Sequence, residues 1–388
     1  MPSAPKKLLI EGWRGLPHSY ALVNEFQILD LLTRPEISLA HHDLEYLVPR
    51  WKPVSGLFSP AEEARIAGIR TPAEGERFDA VFRIGGRLDM RASPRAGRTV
   101  VFTTSEFRMI PKAYTFDNRP IAATLAENDT VVVTPSNWSR EGLLVSGAPP
   151  ERVIVVPHGV DPIVFSPMDE AERDQLRRAM KWDGFIFVTV GAGTKNKGID
   201  LILKALAVIS KKHPQVRLMI KGLDDLYSSD KSLAIEMRAL PAEDAQRVGN
   251  LLHYRGGVAP FTDLAMLYRL ADAYIASYRA EGFCLPALEA AACGAPVICT
   301  TGGPTDDFMR DDFCLRINSH LEVLADCHGE PGLRWEPDLD HLIGQMLRVI
   351  EEPEIRRRAR EAGPKFVHGN YTWHHAVNKL LPVLFPQT

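Results

Sequence analysis

The chain has 388 residues, 45% of them hydrophobic and 24% charged, which is long enough for two globular domains and too balanced for a disordered protein. Its formal net charge of -3 excludes the basic field that holds a nucleic-acid backbone, so no nucleic-acid partner is expected. The cysteines form no C-x-x-C pair, and we expect them to be small buried side chains in a reducing compartment.

The sequence carries no run of about 18 apolar residues of the kind that predicts a transmembrane helix. Its short apolar segment near the N-terminus, Leu8 to Ile10, is too short for the apolar region of a signal peptide. We therefore expect a cytoplasmic protein with no transmembrane segment, and a peripheral membrane contact stays open.

Apolar runs typical of buried strands alternate with helical patterns in the first half, which predicts a parallel sheet covered by helices. A helix is expected from Ser19 to about Leu32, and residues 50–76, rich in Pro, Glu and Arg, are expected to form a surface excursion. The predicted strands are Lys7–Ile10, Asp79–Ile84, Val100–Thr104, Thr130–Thr134 and Val153–Val156.

A domain boundary is predicted in the stretch PHGVDPIVFSP, which contains Pro and Gly and has no helical period. A charged helix from about Asp169 to Met180 follows it. The predicted domains are accordingly residues 1–165 and 166–365, and the second repeats the alternation of strands and helices. Its predicted strands are Phe185–Val190, Val216–Ile220, Leu252–Arg255, Ala273–Ala276 and Pro296–Thr300.

The segment FIFVTVGAGTKNKGIDLILKAL combines a buried strand, a glycine-containing loop and an amphipathic helix. Gly191, Gly193 and Gly198 let the backbone approach an anion, while Lys195 and Lys197 supply positive charge. The spacing matches neither a Walker A loop nor G-x-G-x-x-G. It predicts a diphosphate site, with a plain strand-to-helix turn carrying solvated lysines as the alternative.

The segment EGFCLPALEAAACGAPVICTT carries two carboxylates, Glu281 and Glu289. Pro286 suits the first turn of a helix and Gly294 suits its end, so the amides of residues 282–285 open a helix N-terminus that attracts anions. Glu289 is expected in the first turn. Carboxylates so close to phosphates need hydroxyl donors such as those of ribose or a sugar, which indicates a nucleotide-sugar ligand. Alternatively, Glu289 complements the helix dipole and Glu281 is a solvated loop acid.

Taken together, these two segments resemble retaining glycosyltransferase family 4. The E-x7-E signature of that family, EGFGLPxLEAMAxGxPVI, reads EGFCLPALEAAACGAPVI here, and its KG element reads GAGTKNKG. Similar stretches are residues 131–161, LYRLADAYIASYRAEGF and TGGPTDDFM, so the resemblance covers most of residues 130–310. It implies the α/β GT-B fold, with two facing Rossmann-like domains and a cleft between them.

The resemblance implies transfer of a sugar from a nucleotide-sugar with retention of anomeric configuration and without a metal or other cofactor. In that family's pattern Lys197 neutralises the donor diphosphate, Glu281 lies against the transferred sugar, and Glu289 holds the ribose. Lys197 and Glu281 are therefore the expected catalytic residues. Further donor-binding residues are expected at Gly282, Phe283, Cys284, Leu285, Gly191, Lys195, Gly15 and Val258.

Two positions depart from the family pattern. Ala192 stands where many members carry an Arg beside the phosphates, so Lys195 is expected to replace that charge or the donor is bound more weakly. Cys284 stands where the family has a second Gly in the EGFG turn. Base contacts are expected to be largely backbone, around Lys221-Gly222 and Gly257-Val258, so the sequence does not name the base.

The N-terminal domain is expected to hold the acceptor, whether saccharide, lipid-linked or protein. Glu106 follows a predicted strand and is expected at its carboxyl end, where ligands gather, with a solvated or capping acid as the alternative. His18 binds substrate or caps the first helix, and His158 shapes the hinge or is structural. By resemblance, residues 366–388 form a helix that crosses back onto the N-terminal domain.

The alternatives to a transferase are a nucleotide-sugar epimerase of the same fold and a degenerate, non-catalytic scaffold. An epimerase changes the stereochemistry of the donor and needs no acceptor. The histidine pairs His41-His42 and His374-His375 lack companion ligands at metal spacing, so no metal site is expected.

Overall fold

The computed structural model describes residues 4–387 and divides into two compact units, each built on a six-stranded sheet. Unit 1 comprises the described residues up to Gly159, the segment Val323–Leu333 and the described residues from Trp373 onward. Unit 2 comprises Val160–Glu322 and Arg334–Thr372. These bounds differ from the predicted ones at 165 and 365, and they assign to unit 1 an inner segment of the second half that the sequence did not indicate.

The strands of both units are mostly short apolar runs, as expected for strands buried on both faces of a parallel sheet. In chain order they are β1 (Lys6–Gly12), β2 (Ile37–Asp43), β3 (Ala80–Ile84), β4 (Thr99–Phe102), β5 (Val131–Thr134), β6 (Val153–Val155), β7 (Phe185–Val190), β8 (Val216–Lys221), β9 (Leu252–Arg255), β10 (Ala273–Ala276), β11 (Val297–Thr300), β12 (Cys314–Ile317), β13 (Ser319–Leu324) and β14 (Gly332–Pro337).

Most helices lie between these strands along the chain, in places two or three in succession, with short 3-10 turns between some elements. They are α1 (Ser19–Leu31), α2 (Pro60–Ala67), α3 (Ile121–Ala126), α4 (Asn137–Val145), α5 (Glu170–Ala179), α6 (Ile199–Lys212), α7 (Asp224–Tyr227), α8 (Ser229–Arg238), α9 (Ala242–Gly249), α10 (Phe261–Leu270), α11 (Leu285–Ala292), α12 (Leu339–Glu351), α13 (Pro353–Asn370) and α14 (Trp373–Leu384). None of the described helices is both long and apolar enough to cross a membrane.

Each sheet reverses its strand order once. The order is β2-β1-β3-β4-β5-β6 in unit 1 and β12-β11-β10-β7-β8-β9 in unit 2, and the neighbouring strands are parallel. In unit 2 the chain runs outward from β7 through β8 and β9, then returns to place β10 on the other side of β7. Open parallel sheets bind ligands at the carboxyl ends of strands at such a reversal. The loops after β7 and β10 therefore mark the expected binding position in unit 2, as those after β1 and β3 do in unit 1.

Each unit has its own apolar core. In unit 2, Ile202 and Leu206 of α6 pack with Phe187 of β7 and Leu218 of β8. In unit 1 one cluster lies around Val101, Leu125, Val132 and Leu143. The predicted α/β fold class of two Rossmann-like domains is confirmed.

The predicted surface excursion at residues 50–76 is wrong in part. This segment contains α2, which begins with a capping box between Ser59 and Glu62. Leu57, Phe58 and Ile66 are buried, because this segment packs onto the rest of unit 1. Phe58 makes an edge contact with Phe26 of α1, with ring centroids 4.8 Å apart.

Candidate functional site

The loop between β7 and α6 is brought against the segment that follows β10. Residues Lys195–Lys197 form a 3-10 turn, and Gly198 follows with φ +68°, a left-handed conformation that favours glycine. A Cβ atom at Gly198 would collide with the carbonyl oxygen of Ser277, just after β10. Only glycine therefore allows the two loops at the reversal of the sheet to approach so closely.

The two residues predicted to be catalytic lie together at this point. Lys197 Nζ lies 2.5 Å from Glu281 Oε1, and the two side chains are 23% and 12% exposed. Asn196 Nδ2 donates a hydrogen bond to the Ala280 carbonyl at 3.2 Å, which ties the two loops together beside the ion pair. Glu281 is thus not a solvated loop acid, because it is mostly buried and paired with the Lys197 ammonium group.

The residues after Glu281 form the N-terminal entry of α11. Phe283 stacks on Phe308 with ring centroids 4.6 Å apart, and Cys284 adopts a left-handed conformation with φ 72°. Leu285 then begins the helix. The predicted donor-binding residues Gly282, Phe283, Cys284 and Leu285 therefore surround a helix N-terminus, as the positions of Pro286 and Gly294 had indicated.

Glu289 lies in the second turn of α11, so its predicted place in the first turn is wrong: the helix begins at Leu285, and a turn takes about 3.6 residues. Glu289 is buried, and Tyr268 of α10 donates a hydrogen bond to its Oε2 at 2.9 Å. Burial raises the pKa of Glu289 to about 7, against the opposing effect of the Tyr268 hydrogen bond. A carboxyl held in this way is not placed to complement the helix dipole at the surface.

The loops after β8 and β9 lie at the same carboxyl edge as Lys197. Gly191 N donates to the Lys221 carbonyl at 3.0 Å, and Asp224 N donates to the Gly256 carbonyl at 2.8 Å. Tyr254 donates its hydroxyl to Asp224 Oδ1 at 2.5 Å. The next residues, Gly257 and the half-buried Val258, complete the edge at which base contacts were expected.

The other residues of the phosphate loop are placed as follows. Lys195 is exposed, and its carbonyl oxygen accepts a hydrogen bond from Arg279. A Cβ at Gly191 would lie 3.8 Å from the side chain of Lys197, in ordinary contact. The Lys197 side chain thus passes next to Gly191.

In unit 1 the loop after β1 is held from inside by a buried carboxyl group. Gly15 has φ +73°, and its N-H donates to Glu25 Oε1 of α1 at 2.7 Å. Val54 N donates to the Gly15 carbonyl at 2.7 Å. Glu25 Oε2 is buried and finds no hydrogen-bond partner among residues 4–387. Burial raises the pKa of Glu25 to about 7. Sequence reasoning missed this residue.

His18 performs the capping role that was one of its two predicted alternatives. Its Nδ1 accepts a hydrogen bond from Tyr20 N at 3.2 Å, and its ring meets the edge of Trp13 at 5.2 Å. Burial lowers the pKa of His18 to about 4, so the imidazole is neutral at neutral pH.

His158 and Glu106 both contact residues of unit 1. The His158 ring packs 5.4 Å from Phe102 and 5.8 Å from Trp373, and burial lowers its pKa to about 3, which fits the structural alternative. Glu106 follows β4 as expected, and its carbonyl accepts a hydrogen bond from Trp138 Nε1 at 3.0 Å.

The five cysteines are free and buried, as predicted. Within residues 4–387, no group of three or more His, Cys, Asp or Glu side chains is placed to hold a metal ion. The predicted histidine pairs have other neighbours: His41 Nε2 lies 3.0 Å from Asn24, and His374 Nδ1 lies 3.2 Å from Asp30. Independence of a metal stays a prediction.

Fold and site together define a protein with two Rossmann-like α/β domains. The family model "Glycosyl transferases group 1" matches residues 171–366, and the chain belongs to this family. The D-inositol 3-phosphate glycosyltransferase of Acidothermus cellulolyticus is 29% identical over 291 residues, which cover 70% of this chain and 63% of that protein. Mannosylfructose-phosphate synthase of Agrobacterium fabrum is 28% identical over 242 residues, covering 61% of this chain and 48% of that protein.

Among solved structures, that of HepE from Anabaena in complex with UDP and glucose has a TM-score of 0.66 at 14% identity. The match covers 98% of this chain and 100% of that one. At this identity the likeness concerns the fold, and it agrees with the predicted GT-B class.

Proposed function

We propose that this protein is a retaining, metal-independent glycosyltransferase that uses a nucleoside-diphosphate sugar as donor. The observation that carries the proposal is the ion pair between Lys197 and Glu281, at the reversal of the unit 2 sheet and on loops that also present a helix N-terminus. The names of the two curated relatives and the ligands of HepE support this class of reaction and donor.

Lys197 has the chemistry to stabilise the leaving group. As the bond between the anomeric carbon and the diphosphate oxygen breaks, negative charge grows on the departing oxygen. The ammonium group and the amides of residues 282–285 offset that charge in a partly buried site, where electrostatic interactions are strong. The acceptor hydroxyl attacks the same face that the diphosphate leaves, and its proton passes to the departing diphosphate oxygen.

Glu281 holds the Lys197 ammonium in place before the donor arrives, so little reorganisation is needed when the diphosphate binds. Its carboxylate accepts hydrogen bonds from the hydroxyls of the transferred sugar. Glu289, oriented by Tyr268, accepts those of the ribose. The acceptor is a hydroxyl compound, with Glu106 of unit 1 as its proposed neighbour.

A thermal-shift panel of UDP, GDP, ADP and dTDP, each measured with magnesium and with EDTA, tests the donor site. We expect one nucleotide to stabilise the protein, by about 2.7 kcal/mol when it is present at about 100 times its dissociation constant. The shift should be the same with EDTA as with magnesium, because the proposed site uses no metal. Lys197→Ala should remove most of this shift. Lys211→Ala is the matched control. Lys211 is a surface lysine of α6, 63% exposed, and its ion pair with Asp244 is long at 4.0 Å.

Product analysis with the sugar conjugate of the active nucleotide tests the reaction. Release of the nucleoside diphosphate together with a glycoside of unchanged anomeric configuration supports the proposal. A change in donor stereochemistry without release of nucleotide would identify an epimerase. If no nucleotide stabilises the protein, the non-catalytic scaffold becomes the better description.

A further inference from the structure

A buried arginine lies under the phosphate loop and was not among the predicted site residues. Arg279 is 4% exposed and stands in the segment between β10 and Glu281. Its guanidinium donates to Asp200, in the first turn of α6, at 2.6 and 3.0 Å. It also donates to Glu336 of β14 at 2.5 and 2.7 Å.

Arg279 also holds the phosphate loop through the backbone. Its Nη1 donates to the Lys195 carbonyl at 3.1 Å, and its own N-H donates to the Asn196 carbonyl at 2.6 Å. On the other side, Trp335 N of β14 donates to the Arg279 carbonyl at 2.8 Å. One residue thus connects both loops of the candidate site to β14.

The network is ionic. Burial by itself would raise the pKa of Asp200, but the hydrogen bonds and positive charges of Arg279 and Lys204 together outweigh it, and the pKa lies below its ordinary value. Burial would likewise lower the pKa of Arg279, yet the hydrogen bonds to Asp200 and Glu336 raise it. A guanidinium has five N-H donors, and the five contacts to Asp200, Glu336 and Lys195 occupy them. Arg279 therefore has no donor left for a diphosphate.

We propose that Arg279 is a positioning residue, which fixes Lys197 relative to Glu281 so that the ammonium group meets the donor diphosphate. The proposal rests on the proposed function, because it assumes a diphosphate against Lys197. Glu336 and β14 serve as the support of this arrangement. A rigid supporting network keeps a charged group within the small displacement that electrostatic stabilisation tolerates.

The test compares nucleoside diphosphates with the nucleosides that lack the charged group. Affinities of UDP, GDP, ADP and dTDP, and of their parent nucleosides, are measured by calorimetry on the full chain. The variants are Arg279→Met, Arg279→Lys and Glu336→Gln. Arg173→Met is the control, because Arg173 is also buried in unit 2 and paired with Asp272 at 2.7 Å, but it belongs to α5.

We expect Arg279→Met to weaken diphosphate binding about tenfold or more while nucleoside binding is unchanged. The diphosphate affinity of Arg279→Lys should lie between those of Arg279→Met and wild type, because lysine keeps the positive charge but lacks the planar guanidinium that donates to two carboxylates at once. Arg173→Met should lower stability and leave the ratio of diphosphate to nucleoside affinity as it is.

A double-mutant cycle separates positioning from general destabilisation. In a Lys197→Met background, Arg279→Met should cause no further loss of diphosphate affinity, because its effect passes through Lys197. An additive loss, or an equal loss for nucleosides, would overturn the inference. If Arg279→Met does not fold, Glu336→Gln in the same cycle decides between the two outcomes.

The two proposals fail in different ways. If wild type binds none of the four diphosphates, the donor site itself is wrong and both proposals fall. If wild type binds one through Lys197 and the Arg279 variants bind it equally well, only the positioning role is wrong.

Discussion

Cys284 combines a non-glycine side chain with a left-handed backbone at the entry to α11. Such a conformation costs an L-residue about 1–2 kcal/mol, which glycine does not pay. We therefore predict that Cys284→Gly is more stable than Cys284→Ala, although glycine is the more flexible residue. A difference of about 1 kcal/mol corresponds to a melting temperature higher by about 2–4 °C for a domain of this size. Equal melting temperatures would contradict the strain.

Glu25 makes the stability of unit 1 depend on pH. Its pKa rises from 4.5 in the unfolded chain to about 7 in the fold. The contribution of this shift to the free energy of unfolding is therefore complete below about pH 4.5 and is lost as the pH rises to about 7. Relative to Glu25→Gln, the free energy of unfolding of wild type should fall by up to about 3 kcal/mol between pH 4.5 and about 7. Above that range the difference between the two proteins should stay constant. Urea unfolding of both proteins between pH 4 and 8 measures the difference, and a pH-independent difference would contradict the raised pKa.

Among single residues, the sequence predicted those that stand in a recognisable motif and missed those that hold the motif residues in place. Lys197, Glu281 and Glu289 stand in patterns of fixed spacing, which can be read along the chain. Tyr268 and Arg279 act through partners in other segments, and such pairings depend on the packed fold. Both lie in the quoted stretch LYRLADAYIASYRAEGF, so buried polar residues within a motif were the available signal.

Among elements, the close approach of the β7 and β10 loops depends on Gly198. Gly198→Ala combines left-handed strain with a collision against Ser277, so we predict a loss of about 3 kcal/mol or more and a weakened nucleotide shift. Gly344→Ala is the control: a Cβ there meets nothing within 4 Å, and alanine in the middle of α12 should stabilise by about 0.5–1 kcal/mol. Chemical denaturation of both variants checks the contrast, and equal effects would refute it.

The predicted strands agree with the structure to within two residues at their ends, because buried apolar runs are distinctive. β2 and β12 were missed: each is an edge strand of its sheet, and the sequence of β2, ISLAHHD, is only partly buried and ends in polar residues. β13 and β14 were missed because they pair with each other outside the main sheets and contain many polar residues.

At the scale of the whole molecule, unit 1 depends on the end of the chain. Trp373 of α14 stacks on Phe26 of α1 with ring centroids 5.0 Å apart, and Val377 and Leu380 are buried. We predict that truncation before Trp373 abolishes amide-exchange protection in α1 while protection in β7, β8 and α6 persists, since unit 2 keeps its own core. Loss of protection in both units alike would show that they do not behave separately.

The two-domain α/β class was predictable from the alternation of patterns, and the return of the last helix only from the family resemblance. The assignment of Val323–Leu333 to unit 1 was not predictable from the sequence, because it depends on contacts between residues far apart in the chain. One of these is the hydrogen bond from Leu333 N to the Phe107 carbonyl at 2.8 Å.

The stacking of Trp373 on Phe26 also has a consequence for synthesis. Trp373 leaves the ribosome roughly 350 residues after Phe26, about 20–70 s later at about 5–20 residues per second. Of the two units, unit 1 emerges first and is completed last, and the part of α1 that packs against Trp373 stays exposed while unit 2 is made. We expect chaperones to bind α1 in a nascent chain that is stalled before Trp373.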